Sequence, residues 1–185
     1  MSTASKNQAT TQERVRLVDG RAVYDFIQER VPEAKRLLWI ATADIKDMHV
    51  RQGRRFVPFL KLLSDCVGRG VEVRLMHAKE PGPRFRADFD RFPRLSRSPN
   101  FERVLCPRLH FKSIIIDGHQ AYTGSANLTG AGMGAKNDHR RNFESGIITN
   151  DPELVSGIMD QFDAVFAGMH CEACQRRDVC PDPIL

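Results

Sequence analysis

The stretch RLHFKSIIIDGHQAYTGSANLT, residues 108–129, decides the fold of this chain. Its first half is rich in isoleucine and phenylalanine, which favour strands, and Asp117-Gly118 supplies a turn signal. The sequence therefore predicts a strand over residues 109–116. A second strand over residues 120–123 is expected to return antiparallel to it.

The polar side chains of this stretch are expected to gather at one end of the strand pair. Alternate residues of a strand share a face, so His110 and Lys112 should point the same way. The returning strand should deliver Ser125 and Asn127 to the same end of the sheet. A nucleophile, a fixed cation and neutral hydrogen-bonding groups suit a phosphoryl group, which needs charge neutralisation and in-line attack. Asp117 begins the turn, where it can bond locally.

Taken together, these spacings resemble the HKD signature of the phospholipase D superfamily, His-x-Lys-(x)4-Asp-(x)6-Gly-Ser-x-Asn. The residues that fill it are His110, Lys112, Asp117, Gly124, Ser125 and Asn127. Glu144 lies where the family places a downstream acid. The direct match covers residues 108–144, about a fifth of the chain.

The resemblance implies an α/β fold, a mixed β-sheet flanked by helices in an α/β/α sandwich, with one HKD motif per chain. It also implies a two-step reaction in which His110 attacks phosphorus and forms a covalent phosphohistidine. Lys112 and Asn127 would hold the nonbridging oxygens with help from Ser125, and Glu144 would bond the other nitrogen of His110. By family precedent Asp117 and Gly124 are structural, and the reaction centre needs no metal.

The family chemistry needs two His-Lys sets, and this chain has one. The other histidines lack the accompanying pattern and are interpreted as ordinary surface or core residues: His49, His77, His119, His139 and His170. The second His110 is therefore expected from another copy of the chain. An isologous homodimer with one site on its two-fold axis meets this need, and small one-motif members of the superfamily, including bacterial endonucleases, behave this way.

Length and composition predict an ordinary globular protein. The chain has 185 residues, 41% hydrophobic and 28% charged, with a net charge of +5 that suits an anionic partner. No apolar run approaches a membrane span, and the polar N-terminus lacks the core of a secretory signal. These features favour a cytoplasmic protein that does not bind membranes.

The pattern along the chain predicts three parts: a disordered segment at 1–14, a catalytic domain at 15–169 and a cysteine-rich tail at 170–185 packed on that domain. In the catalytic domain we expect a helix within 15–31, a buried strand at 36–43, a loop at 44–55, a helix at 56–67 and strands at 71–76 and 142–148. The strand–helix–strand order predicts a parallel pair. Asp151-Pro152 is expected to cap a last helix that runs to about residue 168.

Residues 79–108 interleave arginines with four phenylalanines. Such a segment either lines a nucleic-acid groove, with aromatics stacking on bases, or packs its phenylalanines inward and leaves its arginines solvated. The glycine-rich run 130–136 fits no nucleotide-binding loop and is interpreted as a flexible active-site loop. The candidate phosphate contacts are Arg84, Arg86, Arg108, Lys136, Arg140 and Arg141.

The tail CEACQRRDVCP, residues 171–181, has the spacing C-x2-C-x5-C before a proline. In a reducing compartment such thiols favour metal binding over disulfides. The expected ligands are Cys106, Cys171, Cys174 and Cys180, with Cys66 and His170 as reserves for the fourth position. The tail resembles the cysteine triad of iron–sulfur RecB-type nucleases, which favours a structural [4Fe–4S] cluster over zinc. Metal-free reduced thiols are the alternative.

Three functions remain open from the sequence. A nuclease is favoured by the basic charge, the arginine-rich segment and the lone motif, with DNA favoured over RNA as the partner. A lipid phosphodiesterase or phosphatidyltransferase would need apolar surface that the sequence does not supply. A noncatalytic nucleic-acid-binding module would be expected to carry a damaged motif, and this motif is intact.

Overall fold

A mixed seven-stranded β-sheet forms the centre of the computed structural model, which describes residues 14–133, 135 and 139–184. The strands are β1 (Val15–Val18), β2 (Leu37–Thr42), β3 (His49–Gln52), β4 (Arg55–Pro58), β5 (Glu72–His77), β6 (Phe101–Leu105), β7 (Lys112–Ile116), β8 (Gln120–Gly124) and β9 (Gly146–Thr149). The sheet has the order β1-β9-β8-β7-β2-β5-β6, while β3 and β4 pair in a separate hairpin.

Helices cover both faces of the sheet and give the predicted α/β/α layering. The helices are α1 (Gly20–Arg30), α2 (Phe59–Gly68), α3 (Pro83–Asp90), α4 (Arg94–Arg97) and α5 (Pro152–Phe166). Helices α1 and α2 pack on one face, and α5 packs on the other. The predicted cap of α5 forms, because the Asp151 carboxylate accepts hydrogen bonds from the N–H groups of Glu153 and Leu154. None of the helices in the described ranges is long and apolar enough to cross a membrane.

Strand β2 is central because its side chains are apolar toward both helical layers. Leu38 and Ile40 pack toward α1 and α2 and are fully buried. Trp39 points the other way and stacks on Phe162 of α5, with 5.2 Å between the ring centroids. Burying side chains of this size contributes roughly 1.5–3 kcal/mol each, so this strand anchors both halves of the core.

The strand directions bring four chain segments to one edge of the sheet. Strand β2 pairs parallel with β5 and antiparallel with β7, and β8 pairs antiparallel with both β7 and β9. The ends of β2 and β8 therefore meet the starts of β7 and β9. Residues 106–111 leave β6 at the far side of the sheet and cross the ends of β5 and β2 before entering β7. We call this edge the motif edge.

Several elements differ from the sequence-based predictions. Residues 15–18 form an edge strand on β9, and residues 44–55, predicted as a loop, contribute β3 and the start of β4. Residues 79–108 contain two helices and β6, whose pairing to β5 is parallel. The strand predicted for residues 109–116 begins only at Lys112, because the preceding residues cross the sheet edge instead of pairing. The predicted disordered segment lies outside the described residues, apart from Arg14.

Candidate active site

His110 and Lys112 both lie at the motif edge. His110 is exposed on the crossing segment, whereas Lys112, the first residue of β7, is only 6% exposed. The Lys112 ammonium donates a 2.6 Å hydrogen bond to the main-chain carbonyl of His110. Burial lowers the pKa of Lys112, and the carboxylate of Glu144 acts in the opposite direction. The site thus pairs an accessible imidazole with a fixed, partly desolvated cation.

Glu144 is held by two donors of the same chain. One carboxylate oxygen accepts a short hydrogen bond from the Ser125 hydroxyl, and the other accepts from the Asn142 amide at 3.0 Å. Ser125 in turn accepts a 3.0 Å hydrogen bond from the N–H of Ser145. These contacts join the end of β8 to the start of β9. In this single chain the Glu144 carboxylate is therefore engaged with Ser125 and Asn142, and not with His110 as the resemblance implies.

Asn127 has a fixed orientation that the sequence did not reveal. Its amide oxygen accepts a 3.0 Å hydrogen bond from the N–H of Asp44. The Thr42 hydroxyl lies 3.3 Å from the same oxygen and 2.8 Å from the carbonyl oxygen of Asp44, which is the nearer acceptor of its single proton. Thr42 is fully buried at the end of β2 and also accepts from the N–H of Leu128. Because the oxygen is occupied, the Asn127 NH₂ group remains the donor that can meet an anion. The polar Thr42 at the end of the apolar run 36–43 was the sequence signal that could have indicated a contact with Asn127.

Asp117 lies at the opposite edge of the sheet. It lies five residue steps beyond Lys112 along β7, which corresponds to about 16 Å at roughly 3.3 Å per residue. Its carboxylate accepts hydrogen bonds from the main-chain N–H groups of Lys35, Arg36 and Leu37 at 2.7–3.1 Å. Burial acts to raise the pKa of Asp117, but these three donors together lower it. The geometry agrees with a structural role, since the side chain secures the start of β2.

Gly124 allows two strands to approach closely next to the site. A Cβ atom at this position would lie 2.6 Å from the Cα atom of Gly146, the carbonyl oxygen of Ser145 and the hydroxyl of Tyr122. That hydroxyl accepts a hydrogen bond from the N–H of Ala126, inside the Ser125–Asn127 turn. Only glycine fits here without moving backbone atoms, which agrees with the structural role expected for Gly124.

Two of the arginines predicted to contact substrate lie near the motif edge. Arg84 at the start of α3 is exposed and faces Asp47 at 4.0 Å. It lines a cavity of about 640 Å³ between the loop after β2 and the segment after β5, together with Lys46 and Lys79. The same loop supplies the Asp44 N–H that orients Asn127. Arg86 is turned toward Glu80, 3.9 Å away, and contributes less to this cavity.

The remaining predicted substrate contacts have different surroundings. Arg140 is exposed and Arg141 is half-buried, both just before Asn142. Arg108 lies beside the C-terminal tail, where the N–H of Arg176 and then the Arg108 side chain lower the pKa of the Cys174 thiol. Arg108 therefore faces the cysteines. Lys136 falls outside the described ranges, whereas residues 130–133 and 135 of the loop predicted at 130–136 lie within them.

The phenylalanines of the segment 79–108 pack inward. Phe85 is buried, and Phe89, Phe92 and Phe101 pack against the same core as α2. Phe85 stacks on Phe89, which in turn contacts Phe101. Of the two alternatives left open by the sequence, the second is correct for these rings: the phenylalanines pack inward and do not line a groove. The accessible aromatic near the motif is Phe143, whose side chain is fully exposed beside Glu144.

The cysteines divide between the two faces of the sheet. Cys66 is a buried residue of α2 that donates to the carbonyl of Val31 on the opposite face of the sheet from the tail, so it is too remote to be the fourth ligand. Cys106, Cys171 and Cys174 line one cavity beside α5, together with His170. Cys106 follows β6, and its carbonyl accepts a 2.9 Å hydrogen bond from the N–H of Leu109 in a turn. Among the residues that the structure describes, no three His, Cys, Asp or Glu side chains converge on a single-ion site.

The comparisons with known proteins agree with this architecture. The model of the family "cardiolipin synthase, PLD-like domain" matches residues 27–166. No curated protein sequence matches the chain.

Solved structures share the fold at low sequence identity. NucT from Helicobacter pylori is 17% identical with a TM-score of 0.62, over 83% of this chain and 95% of NucT. Nuc from Salmonella typhimurium, a phospholipase D family member, is 17% identical with a TM-score of 0.60, over 82% of this chain and 93% of Nuc. The archaeal chromatin protein TrmBL2, which has a novel mode of DNA binding, is 18% identical with a TM-score of 0.57, over 85% of this chain and 54% of TrmBL2.

Proposed function

This chain belongs to the phospholipase D-like family, and we propose that it is a phosphodiesterase that cleaves nucleic acid, DNA in preference to RNA. The observation that carries the proposal is the motif edge itself. An exposed imidazole, a buried ammonium and an oriented amide NH₂ lie on three chain segments that meet there. This donor set can stabilise a phosphoryl group without a metal ion.

The proposed reaction has two displacement steps. A ring nitrogen of His110 attacks phosphorus, a P–N bond forms, and the P–O bond to the leaving oxygen breaks as a second histidine donates its proton. That histidine then takes a proton from water, whose oxygen attacks phosphorus and breaks the P–N bond. The products are one terminal phosphate and one hydroxyl, and both histidines regain their starting states.

Lys112 and Asn127 are proposed to bind the nonbridging oxygens. Lys112 neutralises charge, and Asn127 donates from its NH₂ group because its oxygen is already occupied. Ser125 is proposed to assist this binding, and in the single chain its hydroxyl positions the carboxylate of Glu144. For Glu144 to orient His110, the carboxylate must accept a further hydrogen bond from the imidazole N–H, and each of its two oxygens has a lone pair left for it.

The second histidine is proposed to be His110 of another copy in an isologous dimer. Two histidines of the same chain are poorly placed for the task. His77 is fully buried with its Nδ1 atom 2.8 Å from the carbonyl of Lys79, and His119 sits in the β7–β8 turn at the far edge. A two-fold axis at the motif edge would place two exposed imidazoles on either side of one phosphate.

Nucleic acid is favoured as the substrate by charge and by relatedness. The net charge of +5 suits a phosphate backbone. The cavity that Arg84 lines adds no net charge, because Asp44, Asp47 and Glu80 line it together with Lys46 and Lys79. TrmBL2 shares the fold and binds DNA. The family model carries the name of a lipid enzyme, so a lipid phosphodiesterase is the second candidate. We place the protein in the cytoplasm, where its free thiols remain reduced.

Cleavage assays in excess EDTA test the proposal. Labelled single- and double-stranded DNA, RNA and phosphatidylcholine vesicles are incubated with wild type, with His110→Ala and with His119→Ala as the matched control. We expect EDTA-resistant cutting of DNA by wild type and the control, and none by His110→Ala. Cutting of vesicles alone would favour the lipid candidate, DNA binding without cutting would favour a noncatalytic module, and EDTA-sensitive cutting would refute the mechanism.

A mixing experiment tests the shared site. Wild type and His110→Ala chains are unfolded together in equal amounts and refolded, which gives a statistical mixture of dimers. If one site needs both histidines, the mixture has about one quarter of the activity of the same total amount of wild type, because only dimers of two wild-type chains are active. Independent sites leave about one half. A monomer in light scattering with full activity would refute the dimeric site.

A further inference from the structure

The C-terminal tail returns to the sheet beside the segment that carries His110. The Asp182 carboxylate accepts a 2.8 Å hydrogen bond from the N–H of Leu105, the last residue of β6. Arg176 reaches the carbonyl of Pro107 at 3.4 Å. The Cys180 thiol lies 3.9 Å from the carbonyl oxygen of Leu105, next to Cys106 in the chain. Residues after α5 are therefore docked on the 105–107 corner.

This docking brings the cysteines of the tail to Cys106. Cys106, Cys171 and Cys174 line a cavity of about 300 Å³, and Arg108 lines it as well. Its apolar wall includes Leu109 and Val165. All four cysteines of this region are free thiols. Half-buried thiols from two remote parts of the sequence thus line one cavity, with the guanidinium of Arg108 in its wall.

We propose that Cys106, Cys171, Cys174 and Cys180 bind a [4Fe–4S] cluster. Four cysteine thiolates are the usual ligand set of such a cluster. A single zinc ion needs its ligand sulfurs about 2.3 Å from one point, and no such convergence occurs among the described side chains. A cubane cluster is larger and is held by sulfurs that stand farther apart around a cavity. The arrangement therefore fits the cluster better than the ion.

The cluster would act as a structural link. It would join the tail to the turn from Cys106 to Leu109, only one residue before His110. Arg108 would compensate part of the negative charge of the thiolates. If the protein has the proposed nuclease function, loss of the cluster would loosen the crossing segment and lower the rate of cleavage. The cluster itself is tested without reference to cleavage.

The test is metal and sulfide analysis of the full-length protein purified without oxygen. We expect about four iron atoms and four sulfide ions per chain, with a broad visible absorption that bleaches on reduction by dithionite. Cys106→Ser and Cys174→Ser should lose most of the iron. Cys66→Ser is the matched control, because its side chain lies on the other face of the sheet and can keep its hydrogen bond to Val31.

Each alternative outcome overturns part of the proposal. About one zinc ion per chain without iron would overturn the iron–sulfur assignment. The whole site would be overturned if the wild-type protein held neither metal, even after anaerobic reconstitution with iron and sulfide. Full iron content in Cys106→Ser would remove Cys106 as a ligand. Circular dichroism of each variant separates loss of metal from loss of fold.

Discussion

Replacing Asp117 tests whether this member of the motif holds the fold together or takes part in the chemistry. Its carboxylate accepts from three main-chain N–H groups that lie about 80 residues earlier, and Asp117 itself adopts a left-handed φ of 54°. Asn tolerates that conformation, so Asp117→Asn removes the charge with little backbone strain. Asp117→Ala adds a conformational cost of roughly 1 kcal/mol.

The structure sets the size of the effect. A hydrogen bond to a charged group contributes roughly 1.5–3 kcal/mol, but the donors of Lys35 and Arg36 are near the surface and can bind water in the variant. We therefore expect Asp117→Asn to lower the free energy of unfolding by about 2 kcal/mol and Asp117→Ala by about 3 kcal/mol. For a chain of this length, 2 kcal/mol corresponds to a fall in Tm of about 4–8 °C.

The pH dependence has a defined sign. The pKa of Asp117 is lower in the folded protein than in the unfolded chain, so its stabilisation is present above the unfolded pKa of about 3.9. It is lost as the pH falls through the folded pKa. The difference between wild type and Asp117→Asn should thus be constant from about pH 7 to 5 and shrink below about pH 4.

Urea unfolding followed by circular dichroism measures these differences, with Asp160→Asn on the exposed surface of α5 as the control. Cleavage per folded molecule should stay close to wild type in Asp117→Asn, because the carboxylate is about 16 Å from Lys112. Unchanged stability, or a loss of turnover as severe as in His110→Ala, would refute this assignment.

Three further predictions concern the motif edge. Lys112→Met should lower kcat by roughly 10²–10³-fold. In wild type, burial lowers the pKa of Lys112, so activity should begin to fall at a pH below the usual lysine pKa of about 10.4. A pH–rate profile whose alkaline limb lies at the usual lysine pKa would contradict this. Gly124→Ala should prevent stable folding, since its Cβ would meet backbone atoms at 2.6 Å, and a variant with wild-type Tm would contradict the close approach. Thr42→Val removes the donor to the Asp44 carbonyl and the acceptor for the Leu128 N–H, so it should displace the Asp44 N–H that orients Asn127, reduce cleavage and destabilise the protein by about 1–3 kcal/mol. Thr42→Ser should restore both properties, and equal effects of Val and Ser would exclude the hydroxyl as the cause.

The sequence was informative where local chemistry specifies structure. The apolar run of β2, the Asp-Gly turn between β7 and β8, and the Asp151 cap of α5 each depend on neighbouring residues, and each was predicted. The motif identified the family because its six typed positions follow a fixed spacing. Its residues divide between the two edges of the sheet, with Asp117 at the far one.

The elements that were missed depend on partners remote in the sequence. Strand β1 is a four-residue edge strand whose first three residues are exposed, and it forms because it pairs with β9, about 130 residues later. Strand β6 lies in a segment rich in arginine and proline and is defined by its pairing to β5. Thr42 and Asp44 join the site only because β2 ends next to the β8 loop. No local sequence pattern predicts contacts between segments so far apart in the chain.

The position of β2 also determines how the chain can fold while it is being synthesised. Residues 37–105 can form the parallel β2–β5–β6 half as soon as they leave the ribosome, but the other edge of β2 pairs with β7, which is synthesised after β6. Until residue 116 is available, an apolar edge strand stays open to pairing with other chains. Fragments that stop before β7 should therefore aggregate, and ribosome-bound chains of that length should be the ones that chaperones protect.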